Sequence, residues 1–460
     1  MTATPLMLAK PEEISTHEKR QKYTVATIGC EKSGQFHAIL FADAGFKVIC
    51  ADPDPARINN MTKGRLTTIK GEAESKLRTY FKEGSLSATT DVKQAVSQGD
   101  IIVVTIPAKF DAKKRPDYSD IKNICKIVGS NFRAGSIIFN MSITGIGINS
   151  NVLKETLENA SGFKEGEQFG LVYAPTPASE SSTLENVRDY ARIVAASDKK
   201  ILEVGSTILA TVTKGTVRKA ESMKIAEVAA LLEIVHEDAR IALKNELSYF
   251  CEKVGTDFLQ IQALIDTILN QISPSASSSI GKSQEESYIL LEDAQNASLR
   301  LKIPNAAREV NEETARHAAN LTKDALRVCG KTLKRARVTL LGVAIIPNTA
   351  TLPSKFAKEI AKTLEARGAR LNIYDPYCLE SELADMQHHP KKTLNENLEG
   401  ADCIVLITAL NQFKNLNLAK LKHLMKVPAA IIDLTGTFDP SKVEKEGFIY
   451  RGLGRGVWTK

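Results

Sequence analysis

Short apolar runs alternate with amphipathic stretches along most of this 460-residue chain. Between Tyr23 and about Ala196 the runs are TVATIG, FKVICAD, DIIVVTIP, GSIIFNMS, FGLVYAP and RIVAAS. Four more runs follow Lys331, and these are RVTLLG, ARLNIYDP, DCIVLIT and AAIIDL. Strands that are buried on both faces have this composition, and their alternation with helices is typical of a parallel sheet. The pattern therefore predicts two doubly wound α/β domains.

The middle of the chain, residues 220–330, has a different pattern. The stretch AEVAALLEIVHEDARIALKNELSYFCEKVG keeps apolar residues at helical spacing and stops at Gly255, a residue suited to a helix C-cap. We therefore predict two Rossmann-like domains joined by a long central helix and a helical segment. Residues 1–22 are assigned to a flexible lead, 23–215 to the first domain, 216–330 to the central segment and 331–460 to the second domain.

The composition is that of an ordinary soluble protein, with 43% hydrophobic and 25% charged residues. No apolar stretch reaches the roughly 18 residues that a membrane-spanning helix needs. The polar N-terminus, MTATPLMLAKPEEISTHEKRQK, contains no secretory signal. We therefore expect a cytoplasmic protein without a membrane partner.

The seven cysteines are scattered, and neither they nor the histidines have the spacing of a metal site. We predict buried free thiols and no metal. A basic cluster at Lys331, Lys334, Arg335 and Arg337 precedes the first strand of the second domain. Because no aromatic residues interleave with it, we interpret it as a solvated linker in preference to a nucleic-acid site.

The turn after the first predicted strand, GCEKSG, contains two of the three glycines of a dinucleotide-binding fingerprint. Gly29 and Gly34 occupy the first and third positions, which shape the turn and the packing of helix on strand. Glu31 occupies the second position and brings bulk and negative charge to the place where a pyrophosphate would lie. Asp52 ends the next strand, where an acidic residue can accept from a ribose hydroxyl. The sequence therefore predicts weak NAD binding at most in the usual pose.

Several longer stretches carry a resemblance that covers Tyr23 to Arg455. They include GFKVICADPDPARINNMTKG, DIIVVTIPA, FGLVYAPTPASES, SMKIAEVAALLEIVHEDARIALKNELSYFCEKVGTD, VTLLGVAIIPNT and FIYRGLGR. In order and spacing they resemble the UDP-glucose/GDP-mannose dehydrogenase family of nucleotide-sugar dehydrogenases. The resemblance implies oxidation of the C6 hydroxyl of a nucleotide-linked hexose to a carboxylate in two NAD-dependent steps.

The resemblance also implies four catalytic groups, and each is replaced in this chain. Gln284 stands at the position of the cysteine that holds the aldehyde as a thiohemiacetal. Ala230 and Ile234 stand at the positions of a lysine and an asparagine on the central helix, and Thr176 at that of a glutamate. An alternative alignment makes Lys224 the lysine, but it needs a six-residue insertion that would rotate the helix face by roughly 240°.

Other positions follow the same trend. Those that shape the fold are retained, and Gly29, Gly34, Asp52, Pro107 and Ser142 remain as candidate cofactor-binding residues. Nucleotide-contacting positions of the second domain are altered at Ile346, Pro353 and Thr435. Residues 276–283, ASSSIGKS, resemble a phosphate loop loosely, and Lys282 is a candidate anion contact there.

Two interpretations follow. The favoured one is a homodimeric scaffold, regulator or nucleotide-sugar-binding pseudoenzyme that pairs through the central helix, with a protein partner or a nucleotide ligand. Its basis is the joint loss of groups that act as a unit in catalysis. The alternative is an active NAD-dependent oxidoreductase on a UDP- or GDP-sugar, with Lys224, Lys282 or His236 in new roles. Nucleic acid is not an expected partner.

Overall fold

The chain was analysed as a computed structural model, which describes residues 5–64, 72–177, 183–264, 285–344, 353–378 and 393–458, with residues 347, 383, 386 and 391. The described residues form two compact units. Met1–Val235 and Gln284–Leu301 supply the first unit, and His236–Ser283 and Lys302–Lys460 supply the second. The predicted fold class, with two Rossmann-like sheets and a long central helix, is confirmed.

The first unit is built on an eight-stranded sheet. Its strands are β1 Thr24–Ile28, β2 Lys47–Ala51, β3 Leu86–Thr89, β4 Ile101–Val104, β5 Ile137–Asn140, β6 Gly170–Tyr173, β7 Arg192–Ala196 and β8 Val217–Lys219. Their order is β8-β7-β6-β5-β4-β1-β2-β3, and every pairing is parallel except β6 with β7. The helices of this part of the chain are α1 His17–Arg20, α2 Lys32–Asp43, α3 Pro55–Thr62, α4 Glu72–Glu83, α5 Val92–Gln98, α6 Ser119–Gly129, α7 Lys154–Ser161, α8 Leu184–Asp189 and α9 Lys199–Val212.

The second unit contains a five-stranded parallel sheet. Its strands are β9 Arg337–Leu341, β10 Arg370–Tyr374, β11 Cys403–Leu406, β12 Ala430–Asp433 and β13 Ile449–Gly452, in the order β10-β9-β11-β12-β13. The remaining helices of the described chain are α10 Met223–Val254, α11 Phe258–Leu264, α12 Ser287–Asn296, α13 Lys302–Val328, α14 Lys355–Ala366, α15 Leu394–Leu398, α16 Asn411–Lys414, α17 Leu418–Leu424 and α18 Pro440–Lys445.

Each sheet is buried on both faces, as the continuous apolar runs predict. Along β1, Val25 belongs to one apolar cluster, whereas Ala26 and Ile28 belong to another. Val338 and Leu341 of β9 are likewise divided between two clusters. This alternation follows from the two-residue period of a strand, which sends successive side chains to opposite faces.

The central helix α10 is a single helix of 32 residues. Gly255 follows it with φ +71°, so the predicted C-cap is confirmed. The segment 216–330 does not form a separate unit, because α10 continues across the boundary between Val235 and His236.

The N-terminal segment differs from the flexible lead expected for residues 1–22. Residues 5–20 form two short 3-10 turns and α1. Leu6 and Ile14 are buried in the same apolar cluster as Val25, and the Met7 amide donates to the carbonyl of Gly135 (3.1 Å). This stretch is mostly polar but contains a few apolar residues. The segment is ordered because these apolar residues are buried.

Candidate functional site

The chain order of the first sheet reverses between β1 and β4, which are neighbours. Loops that follow the carboxyl ends of two such strands diverge and leave a crevice, the usual ligand position in a doubly wound fold. Gly29 follows β1 here, and Thr105 follows β4. The Thr105 hydroxyl donates to the carbonyl of Gly29 (3.0 Å) and ties the two loops together.

The two retained glycines shape this turn as predicted. Gly29 has φ +98°, a conformation that residues with side chains rarely adopt. A Cβ atom on Gly34 would lie 1.7 Å from the carbonyl oxygen of Gly29. No side chain fits there, so Gly34 permits the close packing of α2 on β1.

Asp52 is buried and is already engaged by the protein. One carboxylate oxygen accepts from the amide of Cys30 (2.8 Å), and the other accepts from the amide of Asp54 (2.9 Å). Asp375 does the same in the second unit, where it accepts from the amides of Val343 and Ala344 at 2.8 Å each. Both aspartates therefore fix the turn after the neighbouring strand, a structural role that the sequence interpretation of Asp52 did not include.

Glu31 is the N-cap residue of α2, but its side chain makes no capping hydrogen bond. Its carboxylate pairs with Arg57, with 2.7 Å between Oε1 and Nη2. Arg57 also reaches Asp52 (3.2 Å) and Asp54 (3.5 Å). Burial alone would lower the pKa of Arg57, but these three carboxylates raise it. Because one guanidinium is shared by three carboxylates, Arg57 offsets the negative charge at the second fingerprint position only in part.

The N-terminus of α2 presents the features of an anion site. The first α-helical hydrogen bond runs from the amide of Gln35 to the carbonyl of Glu31 (2.9 Å), so the amides of residues 32–34 precede the helical ladder. The positive end of the helix dipole lies at the same place. Lys32 is the first helical residue, and burial lowers the pKa of its ammonium group to about 8.

The resemblance assigns Ala230 and Ile234 to the positions of a lysine and an asparagine. Both residues lie in a buried apolar cluster. Ala230 is 1% exposed and Ile234 is 2% exposed. The cluster also contains Ile143, Leu231, Val235, Ile289 and Leu290, with Ala108, Phe110 and Leu301 packed against it. Neither position presents a group that could polarise a carbonyl or hold water.

Thr176, which the resemblance assigns to the position of a glutamate, is buried and hydrogen-bonded within the protein. Its hydroxyl accepts from Nη1 of Arg192, and Nε2 of His37 lies 3.4 Å from it. Nη2 of Arg192 contacts Nε2 of His37 at 3.3 Å, and Nδ1 of His37 lies 2.8 Å from the carbonyl oxygen of Ser33. Burial and, to a smaller extent, the Arg192 charge lower the pKa of His37 to about 3. This histidine is therefore neutral and donates through Nδ1.

Pro107 and Ser142 follow the carboxyl ends of the neighbouring strands β4 and β5, at the same edge of the sheet as Gly29. Ser142 is buried after β5, and Pro107 is exposed after β4. Lys224 and His236 are exposed on α10. Gln284, Lys282 and Ile346 lie outside the described residues.

The altered positions of the second unit carry no charge. The hydroxyl and amide of Thr435 both bond to Oδ1 of Asp433, at 2.8 and 2.9 Å. Pro353 forms an isolated bridge with Ala344. Neither residue offers a cation to a nucleotide.

Sequence reasoning missed Arg57, Thr105 and Arg192. The Asp54-Pro55 pair predicts the start of a helix with Arg57 in its first turn, but it does not predict that Arg57 pairs with Glu31. Arg192 begins an apolar strand, and no local sequence pattern predicts that its side chain is buried.

The prediction of buried free thiols is confirmed for six cysteines, while Cys378 is half-buried. Within the described ranges, no three His, Cys, Asp or Glu side chains are grouped as a metal site would require. No helix in that part of the chain combines the length and apolarity needed to cross a membrane.

Comparison with known proteins places the chain in a family. Residues 23–213 match the NAD binding domain of the UDP-glucose/GDP-mannose dehydrogenase family, and residues 339–440 match the UDP binding domain of the same family. The chain belongs to this family. The doubt that Glu31 raised about NAD finds no support in these matches.

Curated relatives are similar over nearly their full length. The chain is 25% identical to the UDP-glucose 6-dehydrogenase TuaD of Bacillus subtilis, covering 94% of this chain and 93% of the relative. It is 23% identical to a UDP-N-acetyl-D-mannosamine dehydrogenase of Methanococcus maripaludis, covering 94% and 97%.

Solved structures share the fold. The structure of a UDP-D-ManNAc dehydrogenase from Pyrococcus horikoshii has a TM-score of 0.81 at 22% identity, covering 94% of this chain and all of that one. A UDP-glucose dehydrogenase from Pyrobaculum islandicum gives 0.81 at 20% identity, covering 94% and 98%.

Proposed function

We propose that this family member binds NAD in its first unit but does not carry out the family's two-step sugar oxidation. It acts as a nucleotide-binding regulator or scaffold. The observation that supports this most is the apolar cluster around Ala230 and Ile234, which fills the positions of two catalytic polar groups.

The chemistry explains why these replacements are decisive. Bound NAD accepts a hydride, but the protein must stabilise the oxygen from which the proton leaves and must retain the aldehyde. An alanine and an isoleucine that are nearly inaccessible to water cannot donate hydrogen bonds to that oxygen. Thr176 has no carboxylate to accept a proton, and the buried Arg192 would oppose protonation of any nearby base.

The cofactor half of the site is better preserved. Gly29 and Gly34 keep the turn and the helix packing, and the free amides at the N-terminus of α2 suit a pyrophosphate. Arg57 partly offsets the charge of Glu31, so the carboxylate does not face an anion alone. Lys32 adds a cation at the first helical residue.

Calorimetry tests this part of the proposal. Titration with NAD should give saturable binding in the micromolar range, and Lys32→Gln should weaken it by about tenfold through loss of one charge-assisted contact. Lys47→Gln, at an exposed position on the same unit, is the matched control and should bind like the wild type. Absence of NAD binding by the intact protein would refute the proposal.

The second ligand class follows from the relatives. Their names contain UDP-glucose and UDP-N-acetyl-D-mannosamine, and residues 339–440 match a UDP binding domain. Thermal-shift assays compare UDP, UDP-glucose, UDP-N-acetylmannosamine and GDP-mannose. At least one of the UDP compounds should raise the unfolding temperature of the protein. Stabilisation by GDP-mannose alone would contradict a UDP ligand.

The central helix supports self-association. Five exposed apolar residues of α10 lie within about 40° of arc at 100° per residue, and these are Ile225, Leu232, Leu243, Phe250 and Val254. A continuous apolar stripe on a long helix is suited to pairing with a second copy. The stripe is the basis for the homodimer in this proposal.

A further inference from the structure

The second unit carries a group of exposed cations, here named the basic edge. The basic edge consists of Lys334, Arg335, Arg337, Arg370 and Lys426. Within the described residues, none of these five side chains forms an ion pair or a hydrogen bond. Five exposed cations without an ion-pair partner among the described residues make this a strongly positive patch.

Backbone contacts bring the five residues together. Arg337 and Arg370 are directly opposite each other at the amino ends of β9 and β10. The amide of Arg335 donates to the carbonyl of Gly368 (2.6 Å), two residues before Arg370. On the other side, Lys331 donates from Nζ to the carbonyl of Lys426. The basic edge therefore runs along the amino ends of three neighbouring segments.

The acidic residues nearby do not neutralise it. Asp402 accepts from the amide of Arg337 (2.9 Å) and pairs with Lys331 (2.7 Å). Burial would raise the pKa of Asp402, but Lys331, this amide and the charge of Lys426 lower it, so Asp402 offsets Lys426 in part. Glu399 is exposed near the edge and forms no ion pair among the described residues. Arg337 and Arg370 thus stay unneutralised, although like charges directly opposite on paired strands are unfavourable.

The basic edge also lies at the opposite end of the sheet from the place where a nucleotide would bind in this unit. Doubly wound sheets bind their ligands at the carboxyl ends of the strands. Gly342 and Asp375 follow the carboxyl ends of β9 and β10. The basic edge lies at the amino ends, so the family's UDP site does not account for it.

We propose that the basic edge docks an acidic segment of a partner protein. Arginine forks suit carboxylates, and clustered arginines are a recurring means of recognising acidic peptides. Val427, next to Lys426, is 47% exposed and offers an apolar contact that a peptide side chain can cover. None of the five residues is aromatic, and stacking on bases, the usual means of holding single-stranded nucleic acid, is therefore not available from them.

Fluorescence anisotropy with the full-length chain tests the proposal. The probe is a short fluorescein-labelled peptide of glutamate and leucine, compared with oligodeoxythymidylate of the same length. The peptide should bind in low salt and more tightly than the oligonucleotide. The variant Arg337→Gln/Arg370→Gln should lose about tenfold in affinity, since two exposed charge contacts disappear.

The control variant is Lys358→Gln/Lys362→Gln, which removes the same charge from exposed positions of α14. It should bind the peptide like the wild type, and both variants should show wild-type circular dichroism. An equal loss in both variants, tighter binding of the oligonucleotide or no binding of the peptide by the wild type would each overturn the proposal.

Discussion

Nη2 of Arg57 lies 2.7 Å from Oε1 of Glu31 and joins the cap of α2 to helix α3, which follows β2. The same guanidinium contacts Asp52, so the acidic position of the fingerprint and the aspartate at the end of β2 share one counter-ion. The guanidinium also contacts Asp54, so it offsets the negative charge of Glu31 only in part. The ion pair between Arg57 and Glu31 contributes little to the free energy of unfolding, because both side chains are more than a third exposed.

Substitution of Glu31 measures what the pair does to the cofactor. Glu31→Gln and Glu31→Gly should each raise the affinity for NAD by about threefold to tenfold, because Arg57 becomes available to the ligand. The free energy of unfolding should change by less than about 1 kcal/mol. Calorimetry and urea unfolding measure the two quantities.

The two variants also separate charge from bulk. A gain with glycine and none with glutamine would mean that the side-chain volume obstructs NAD. No gain with either variant, in a protein that binds NAD, would contradict the assignment of Glu31 as an obstacle.

The packing role of Gly34 gives a second prediction. Gly34→Ala places a Cβ atom against the carbonyl of Gly29, which cannot move without shifting β1. We expect a loss of about 3 kcal/mol or more in the free energy of unfolding. Gly162→Ala is the control, since its Cβ would meet nothing within 4 Å and only its φ of +74° is strained. Comparable losses for the two variants in urea unfolding would contradict the packing argument.

These elements show how much of the fold and of the candidate site can be predicted from the sequence alone. The alternation of apolar runs predicts both sheets, and the spacing that ends at Gly255 predicts α10, because burial on one or two faces imposes a regular period. Gly29 and Gly34 were identified because backbone geometry needs glycine there. Arg57 was not, because the pairing of an exposed arginine depends on distances between loops that no local pattern contains.

The N-terminal segment and Thr176 illustrate the same limit. Leu6 and Ile14 are too few and too irregularly spaced to predict packing, although both are buried. The sequence resemblance assigns Thr176 to the position of a glutamate. Its contacts with Arg192 and His37 could not be predicted in this way, since those residues lie on two other elements.

His37 predicts a dependence of stability on pH. Its pKa is about 3 in the folded protein, against an unperturbed value near 6.5. Between these values the unfolded chain binds the proton and the folded protein does not. Stability is therefore lost as pH falls below about 6.5, with a slope of about 1.4 kcal/mol per pH unit from this residue.

Urea unfolding of the wild type and of His37→Gln between neutral pH and pH of about 4 isolates this contribution. As the pH falls, the free energy of unfolding of the wild type should decrease more steeply than that of the variant, by about 1.4 kcal/mol per pH unit. Parallel curves would show that His37 is not held neutral beside Arg192.

The stripe on α10 predicts a dimer that a single charge disrupts. Phe250 is 63% exposed, and Phe250→Lys places an ammonium group on the apolar stripe, one helical turn before Val254. Light scattering after size exclusion should give a dimer for the wild type and a monomer for the variant. Lys253→Glu, an exposed position about 60° away from Phe250 on the helix, should stay dimeric. A wild-type monomer, or a dimer in all three proteins, would rule out this interface.

The most direct test of the central claim is a spectrophotometric assay of NADH formation by the purified chain. It uses saturating NAD with UDP-glucose, UDP-N-acetylmannosamine or GDP-mannose, and an active UDP-glucose dehydrogenase as the positive control. Because Ala230, Ile234 and Thr176 offer no catalytic group, we predict no NADH above the enzyme-free background with any sugar nucleotide, although NAD is bound. NADH formation that scales with the concentrations of protein and sugar nucleotide would contradict the account.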